Sequence, residues 1–275
     1  MQTSAPRRAA TRPVGNSSVD LVHVKGLPIA ALREQQTIDY VLEGVSERRG
    51  GWVCTANLDI LRQWCGSGEV REIVGSADMV VADGMPLVWA SALQGSALPE
   101  RVAGSSLIVT LSAAAADAEA PIFLLGGNPG TADAAARQLL ETNPSLRVVG
   151  TLCPPLGFQD DPAWVDRIES ALREADPKIV YVALGFPKQE SLIIALRARL
   201  PELWFIPCGI SFSFVAGEFR RAPALVQRLG LEWLHRLVRE PRRLHRRYVL
   251  HGIPFLVTVL WSALAVRLTA HPELS

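Results

Sequence analysis

The sequence predicts an α/β protein: a doubly wound, mostly parallel sheet with helices on both faces, followed by a C-terminal helical appendage that associates with a membrane. Three observations carry this. Short apolar runs bounded by turn residues recur along the chain, segments with helical spacing alternate with them, and an arginine-dense stretch near the end leads into an almost wholly apolar one. Strands buried on both faces read as continuous apolar runs, and regular alternation with helices implies right-handed crossovers.

In order, Asp20 to Val24 is expected as a first short strand, and Ala31 to Ser46 as a helix through Leu32, Ile38, Val41, Leu42 and Val45. Val53-Cys54 runs into Thr55-Ala56-Asn57, a helix follows around Leu58 to Cys65, and Met79 to Ala82 runs into Asp83-Gly84. These are two adjacent parallel strands. Leu87, Val88, Ala90, Ser91 and Leu93 mark a helix closed by Gly95, and Glu100 to Gly104 leads into an alanine-rich helix from Ser105 to about Ala118. The unit then repeats. Pro121 to Leu125, Leu146 to Gly150, Lys178 to Leu184 and Leu203 to Cys208 are strands; Thr131 to Glu141, Ala163 to Ala175 and Lys188 to Leu200 are helices.

Open α/β sheets put their chemistry outside the carboxyl ends of the strands. Thr55, Asn57 and Asp83 therefore face one crevice, and Asp83 is the first candidate for a catalytic base. The competing reading makes Asp83 the cap of the helix near Pro86, with Thr55 and Asn57 in a turn. Gly126-Gly127-Asn128-Pro129-Gly130 before a helix offers backbone N–H groups and a positive dipole end to a phosphate, although such turns also arise for steric reasons alone. Cys153-Pro154-Pro155-Leu156-Gly157-Phe158 is a stiff loop, either crevice wall or linker. Gly185-Phe186-Pro187-Lys188-Gln189-Glu190 joins a close-approach glycine, a proline suited to a helix start and three polar side chains, a set hard to explain by structure alone. Phe212, Phe214 and Phe219 form an aromatic cluster, more often core than ligand contact.

A 275-residue chain with 49% hydrophobic residues can bury a full core. The expected division is a disordered leader at 1–18, an α/β catalytic domain at 19–218 and a basic, amphipathic helical appendage at 219–275. The leader lacks the apolar region of a secretory signal. A net charge of +1 gives no global field for nucleic acid. Cys54, Cys65, Cys153 and Cys208 have no C-x-x-C spacing and fit a reducing cytoplasm. There is no D-x-D pair, and the histidines form no i,i+4 metal pair, which disfavours a catalytic metal; no cofactor is expected. P-loop and G-x-S-x-G motifs are missing too.

From Ala224 to Val238, Leu225, Leu229, Trp233, Leu234 and Leu237 give an amphipathic helix, and Pro241 is placed to start another. Arg236, Arg239, Arg242, Arg243, Arg246 and Arg247 lie within twelve residues, and the apolar segment Ile253 to Val266 follows. Fourteen residues of helix rise roughly 21 Å, short of the ~30 Å hydrocarbon core, so the expectation is a helix lying in an anionic membrane interface. The alternative is a C-terminal helix packed on the sheet or against a second copy, with the arginines solvated.

Taken together, these stretches resemble the WecG/TagA/CpsF glycosyltransferases, which elongate lipid-linked precursors of bacterial surface polymers. The resemblance rests on Thr55-Ala56-Asn57, Ala82-Asp83-Gly84-Met85-Pro86, Glu100-Arg101-Val102-Ala103-Gly104, Leu125-Gly126-Gly127, Gly185 to Glu190, Phe219-Arg220-Arg221-Ala222-Pro223 and Gly230 to Leu237, in order from Asp20 to Tyr248. It implies a metal-independent, inverting transfer of a hexose or N-acetylhexosamine (N-acetylmannosamine, its uronic acid or glucose) from a UDP-sugar. The acceptor would be a polyprenyl-diphosphate-linked sugar, and the enzyme would be cytoplasmic, peripheral on the inner face of the bacterial cell membrane. Asp83 would be the general base with Thr55 beside it, and Arg101 and Gln189 would line the pocket. Asn57, Gly126, Gly127, Asn128, Gly185, Pro187, Lys188, Glu190 and Arg221 complete the expected substrate-binding set. Arg236, Arg239, Arg242, Arg243, Arg246 and Arg247 would close over the site and meet the membrane; association between copies of the chain is left open. Ser106 and Ser213 stand where the family often has Asp, which bears on the donor. The rival readings are a Rossmann-type nicotinamide-dependent oxidoreductase, which lacks an amino-terminal G-x-G-x-x-G, and a non-enzymatic membrane-associated scaffold, which leaves the polar crevice unexplained.

Overall fold

The computed structural model describes residues 19–219, 222–223, 226, 232–239, 242 and 245–270. It opens with β1 (Leu21–Val24), β2 (Leu27–Ala30), α1 (Glu34–Ser46), β3 (Gly51–Ala56), α2 (Leu58–Gly66), α3 (Gly68–Gly75), β4 (Met79–Ala82), α4 (Met85–Leu93) and α5 (Gly104–Asp117). It continues with β5 (Ile122–Gly126), α6 (Thr131–Thr142), β6 (Val148–Leu152), α7 (Ala163–Ala175), β7 (Ile179–Ala183), α8 (Lys188–Arg199), β8 (Trp204–Pro207) and the short α9 (Ser211–Val215). A helix at Glu232–Arg239, a π-helical turn at Arg246–Gly252 and a C-terminal helix at Ile253–Ala270 follow.

Six strands form one parallel sheet in the order β4-β3-β8-β7-β5-β6, the architecture expected from the apolar runs. Alternate residues of each strand feed opposite layers, as the period of two requires. On one face Cys54, Val80, Val180 and Phe205 meet α2, α3, α4, α7 and α8; on the other Val53, Val81, Tyr181 and Ile206 meet α1, α5 and α6. Trp52 and Trp204 are fully buried, each side chain worth about 1.5–3 kcal/mol or more of transfer free energy on burial. Within the second layer the Ser112 hydroxyl donates to that of Tyr181 at 3.0 Å, and burial holds the Tyr181 phenol well above its ordinary range.

At the amino ends of the strands, Asp78 ties three elements together. Its carboxylate accepts the Trp52 N–H at 2.9 Å and pairs with Arg197 of α8 at 2.7 Å. That end is locked, so the opposite, carboxyl end is where the loops can be spent on chemistry.

The expected first strand is present as β1, and a second strand not expected from the sequence, β2, pairs with it in an antiparallel hairpin around Lys25-Gly26, both with positive φ; β2 lies against β4. The apolar C-terminal segment is longer than the expected Ile253 to Val266. A continuous helix runs from Tyr248 to Thr269, 22 residues or about 33 Å, long and apolar enough to cross a bilayer, so shortness is no ground against crossing. Val259 and Ala263 are buried against the layer that holds Leu87 and Ala90 of α4, whereas Ile253, Val257, Trp261 and Leu268 on the opposite side are exposed, Trp261 at 74%.

The carboxyl end of β5 approaches the neighbouring strand so closely that only glycine fits at 126. Gly126 has φ +105°, and a Cβ there would sit 2.7 Å from the Ala183 carbonyl oxygen. Gly126→Ala is expected to destabilise the protein by on the order of 1–3 kcal/mol, read as a lowered urea midpoint at constant m.

Candidate active site

The crevice is built where β3 and β4 end. Parallel pairing sets Thr55 opposite Val81 and Ala56 opposite Ala82, and the next backbone amide, that of Asp83, donates to the Ala56 carbonyl at 2.7 Å. Asp83 is therefore held at the sheet's edge of order with its side chain half-buried. It is not the helix cap: α4 begins at Met85 with Gly84 as its N-cap and no side-chain capping bond. Thr55, buried, donates its hydroxyl to the Pro207 carbonyl of β8 at 3.4 Å. Asn57 does serve as a cap. Its side-chain oxygen accepts from the Asp59 and Ile60 amides at 3.0 and 3.1 Å, which spends that oxygen on starting α2.

The loop before α5 is threaded into the same place, because the Val102 N–H donates to the Ala82 carbonyl at 2.9 Å. Arg101 is thereby brought beside the end of β4, where its guanidinium pairs with Glu232 at 3.1 Å, both side chains mostly buried. Gly104 starts α5 close to Pro207, Cys208 and the Thr55 hydroxyl; a Cβ at 104 would stand 3.1 Å from the Pro207 oxygen. The positive end of α5 is thus set against β3 and β8, a feature unread in the sequence.

Across the sheet, Gly127 donates its N–H to Ala183 at 2.7 Å, and Asn128 is exposed at the start of α6. Thr131 there hydrogen-bonds the Glu218 carboxylate, so an anionic side chain already sits at this helix start. The Cys153 thiol donates to the Gly127 carbonyl at 3.3 Å, which makes the proline-rich loop a wall of the turn. Phe212 is core, Phe214 half-buried and Phe219 exposed. Around Gly185, with φ +79°, Pro187 and Lys188 are exposed, but Gln189 and Glu190 turn inward. The Gln189 side-chain oxygen accepts the Gly185 N–H at 3.1 Å and faces that of Leu184 at 3.4 Å; its amide donates to Glu190 at 2.8 Å.

The crevice floor carries a further electrostatic signature. Burial, then Glu190, then Asp83 push the Cys54 thiol well above its ordinary value, so that Cys54 lies within the reach of both carboxylates and is inert as a nucleophile. Cys208 is likewise raised by burial.

Of the basic set, Arg236 and Arg239 belong to the Glu232–Arg239 helix, Arg242 and Arg246 are exposed, and Arg247 lies in the π-helical turn. Arg221 and Arg243 lie outside the described residues, as do most of Ala224 to Leu231 and Pro241. Trp233 stacks edge-on against Tyr248 at 6.1 Å, which joins the short helix to the π-helical turn. Glu232, the partner that brings this segment onto the body, was missed as a site residue although it stands inside the Gly230 to Leu237 stretch; a contact spanning 131 positions leaves no local signal. Among the described residues no group of three or more His, Cys, Asp or Glu side chains is gathered as a metal site would need.

The family model described as "Glycosyl transferase WecG/TagA/CpsF family" matches residues 22–268. That span includes the hairpin, the whole parallel sheet and nearly all of the C-terminal helix.

Asn57 tests whether the local geometry acts as described. Asn57→Ala is expected to lower stability by about 1 kcal/mol through loss of the α2 cap, measured by urea denaturation, and Asn57→Asp to retain most of it.

Proposed function

The chain belongs to this glycosyltransferase family, and on that footing we propose that it moves a hexose or N-acetylhexosamine from a UDP-sugar to a polyprenyl-diphosphate-linked sugar, inverting the anomeric centre. The observation that carries the reading is the placement of Asp83: a half-buried carboxylate anchored through its own amide at the end of β4, with Thr55 on the adjoining strand and Arg101 on the adjoining loop.

In this reading the Asp83 carboxylate takes the proton of the acceptor hydroxyl as that oxygen attacks the anomeric carbon. The bond from the anomeric carbon to the diphosphate oxygen breaks, and the electron pair leaves with UDP. One displacement gives inversion. The growing negative charge on the leaving group meets the Arg101 guanidinium and the tail arginines. Pairing with Glu232 keeps Arg101 oriented and draws the C-terminal segment over the crevice, which excludes water from the reacting centre. Asp83→Asn keeps the size of the side chain and removes the base. We expect turnover to fall by ~10²–10⁴ with UDP binding nearly retained; turnover at the parent rate would overturn the assignment.

The acceptor lives in a membrane, and the C-terminal helix supplies the matching surface. Ile253, Val257, Trp261 and Leu268 fall on one stripe at about 100° per residue, opposite Val259 and Ala263, which hold the helix to the body. We propose that this stripe enters the inner leaflet while the exposed arginines, Arg242 and Arg246 among them, meet anionic headgroups. Val257→Asp with Trp261→Asp leaves the docked flank intact. It is expected to weaken binding to phosphatidylglycerol vesicles at least tenfold in a flotation assay, with the residual binding abolished by high salt. Undiminished flotation would contradict the membrane reading.

A further inference from the structure

Glu190 is a carboxylic acid in the wrong place for an ordinary one. It occupies the first turn of α8, is 1% exposed, and has one oxygen bonded to Gln189 at 2.8 Å; the other oxygen is buried with no hydrogen-bond partner among the described residues. Buried polar atoms of this kind are rare and costly, so the arrangement calls for a role. The hydrogen bonds supply one. Glu190 accepts from the Gln189 amide nitrogen, which fixes the opposite edge of that amide toward the backbone N–H groups of Gly185 and Leu184. Those amides form the turn at the end of β7, where the crevice floor passes through positive φ.

We propose that Glu190 is a positioning residue of the transfer reaction, acting through Gln189 on the 184–187 turn, and that it does so as a neutral acid; this rests on the reading of the crevice as a glycosyl-transfer site. The surroundings favour neutrality. Of the elements packed against α8, the β8 residues are apolar. α7 pairs Asp166 and Glu169 with Arg199 at the far end of the helix, and Glu169 also with Arg173. α3 turns Glu69 to a solvent cleft beside Pro187, spends Arg71 on the carbonyls of Trp64 and Cys65, and leaves Glu72 exposed. Lys188, on the same helix, is exposed, and on the sheet side the Cys54 thiol lies within reach of the Glu190 carboxylate. Among the described residues no cation pairs with the Glu190 carboxylate, and burial pushes its acid up to about 7. Ionised, it would set a second buried negative charge under the crevice from which an anionic diphosphate must depart.

The sign of the stability effect follows from the same shift. The folded value lies above the unfolded value of about 4.3, so the stabilisation is complete below about pH 4 and is lost as pH rises towards 7. Glu190→Gln carries no proton to lose and keeps an oxygen that accepts from Gln189.

The test uses the full-length protein with a UDP-sugar it turns over and a short-chain polyprenyl-diphosphate acceptor, with Asp83→Asn run alongside. Glu190→Leu is expected to lose at least tenfold in kcat with a smaller change in KM, Gln189→Leu to match it, and the double variant to be no worse than either. Glu190→Gln is expected to recover most of the kcat lost in Glu190→Leu at pH 6. It should also lack the fall in kcat that the parent shows through pH 7 and the fall in urea midpoint between pH 4.5 and 7. The last readout needs no substrate and stands even if Glu190→Leu does not fold. Parent-like pH profiles of kcat and urea midpoint in Glu190→Gln would overturn the proposal, as would a fully active Glu190→Leu beside an inactive Asp83→Asn, which would leave the glycosyl-transfer reading standing. An active Asp83→Asn would instead strike at that reading itself.

Discussion

The functional end of this molecule hangs on the parallel pairing of β3 with β4. That register delivers the Asp83 amide to the Ala56 carbonyl and the Val102 amide to the Ala82 carbonyl, and so fixes a carboxylate and an arginine loop at one point. Because side chains alternate with a period of two, a slip of one residue would exchange Cys54 and Val80 with Val53 and Val81 between two apolar layers. Both layers must be filled at native density, which is why the register, and with it the site, is strongly specified.

The two ends of the sheet treat polar groups differently. At the amino end Asp78 is fully used, by the Trp52 amide and the Arg197 guanidinium, and the result is a rivet. At the carboxyl end Arg101 and Glu232 are paired while largely withdrawn from water, and Glu190 keeps one oxygen without a partner among the described residues. A desolvated pair contributes little net stability, yet removing either member leaves the other stranded. The other buried polar side-chain atom without a partner among the described residues, Trp204 Nε1, lies at the amino end of β8.

Much of this was legible in the residues. The parallel strands stood out because a strand covered on both faces has no polar side to interrupt it, as Ile179 to Ala183 shows. The hairpin was hidden because Leu27-Pro28-Ile29-Ala30 is short and carries a proline that a central strand would reject, though an outlying pair accepts it. Gly252 and Pro254 punctuate the tail as if to end one helix and start another, yet the helix runs through, and the turn just before the proline, Arg246–Gly252, is π-helical. Asp83 could be found because it ends a strand. The inward turn of Gln189 and Glu190 and the Arg101–Glu232 pair could not, since each depends on which side of an element faces protein, a tertiary fact, whereas the capping duty of Asn57 is local, an Asn directly before a helix.

The central claim is the chemistry assigned to the crevice, and product identification tests it most directly. The full-length protein is incubated in EDTA with a panel of UDP-sugars and a short-chain polyprenyl-diphosphate-linked sugar, and the lipid product is weighed by mass spectrometry and its new linkage assigned by NMR. The account predicts one added hexose or N-acetylhexosamine, UDP released in equal amount and an inverted anomeric centre. A retained anomeric configuration, or no product without a divalent metal where one forms with it, would contradict it.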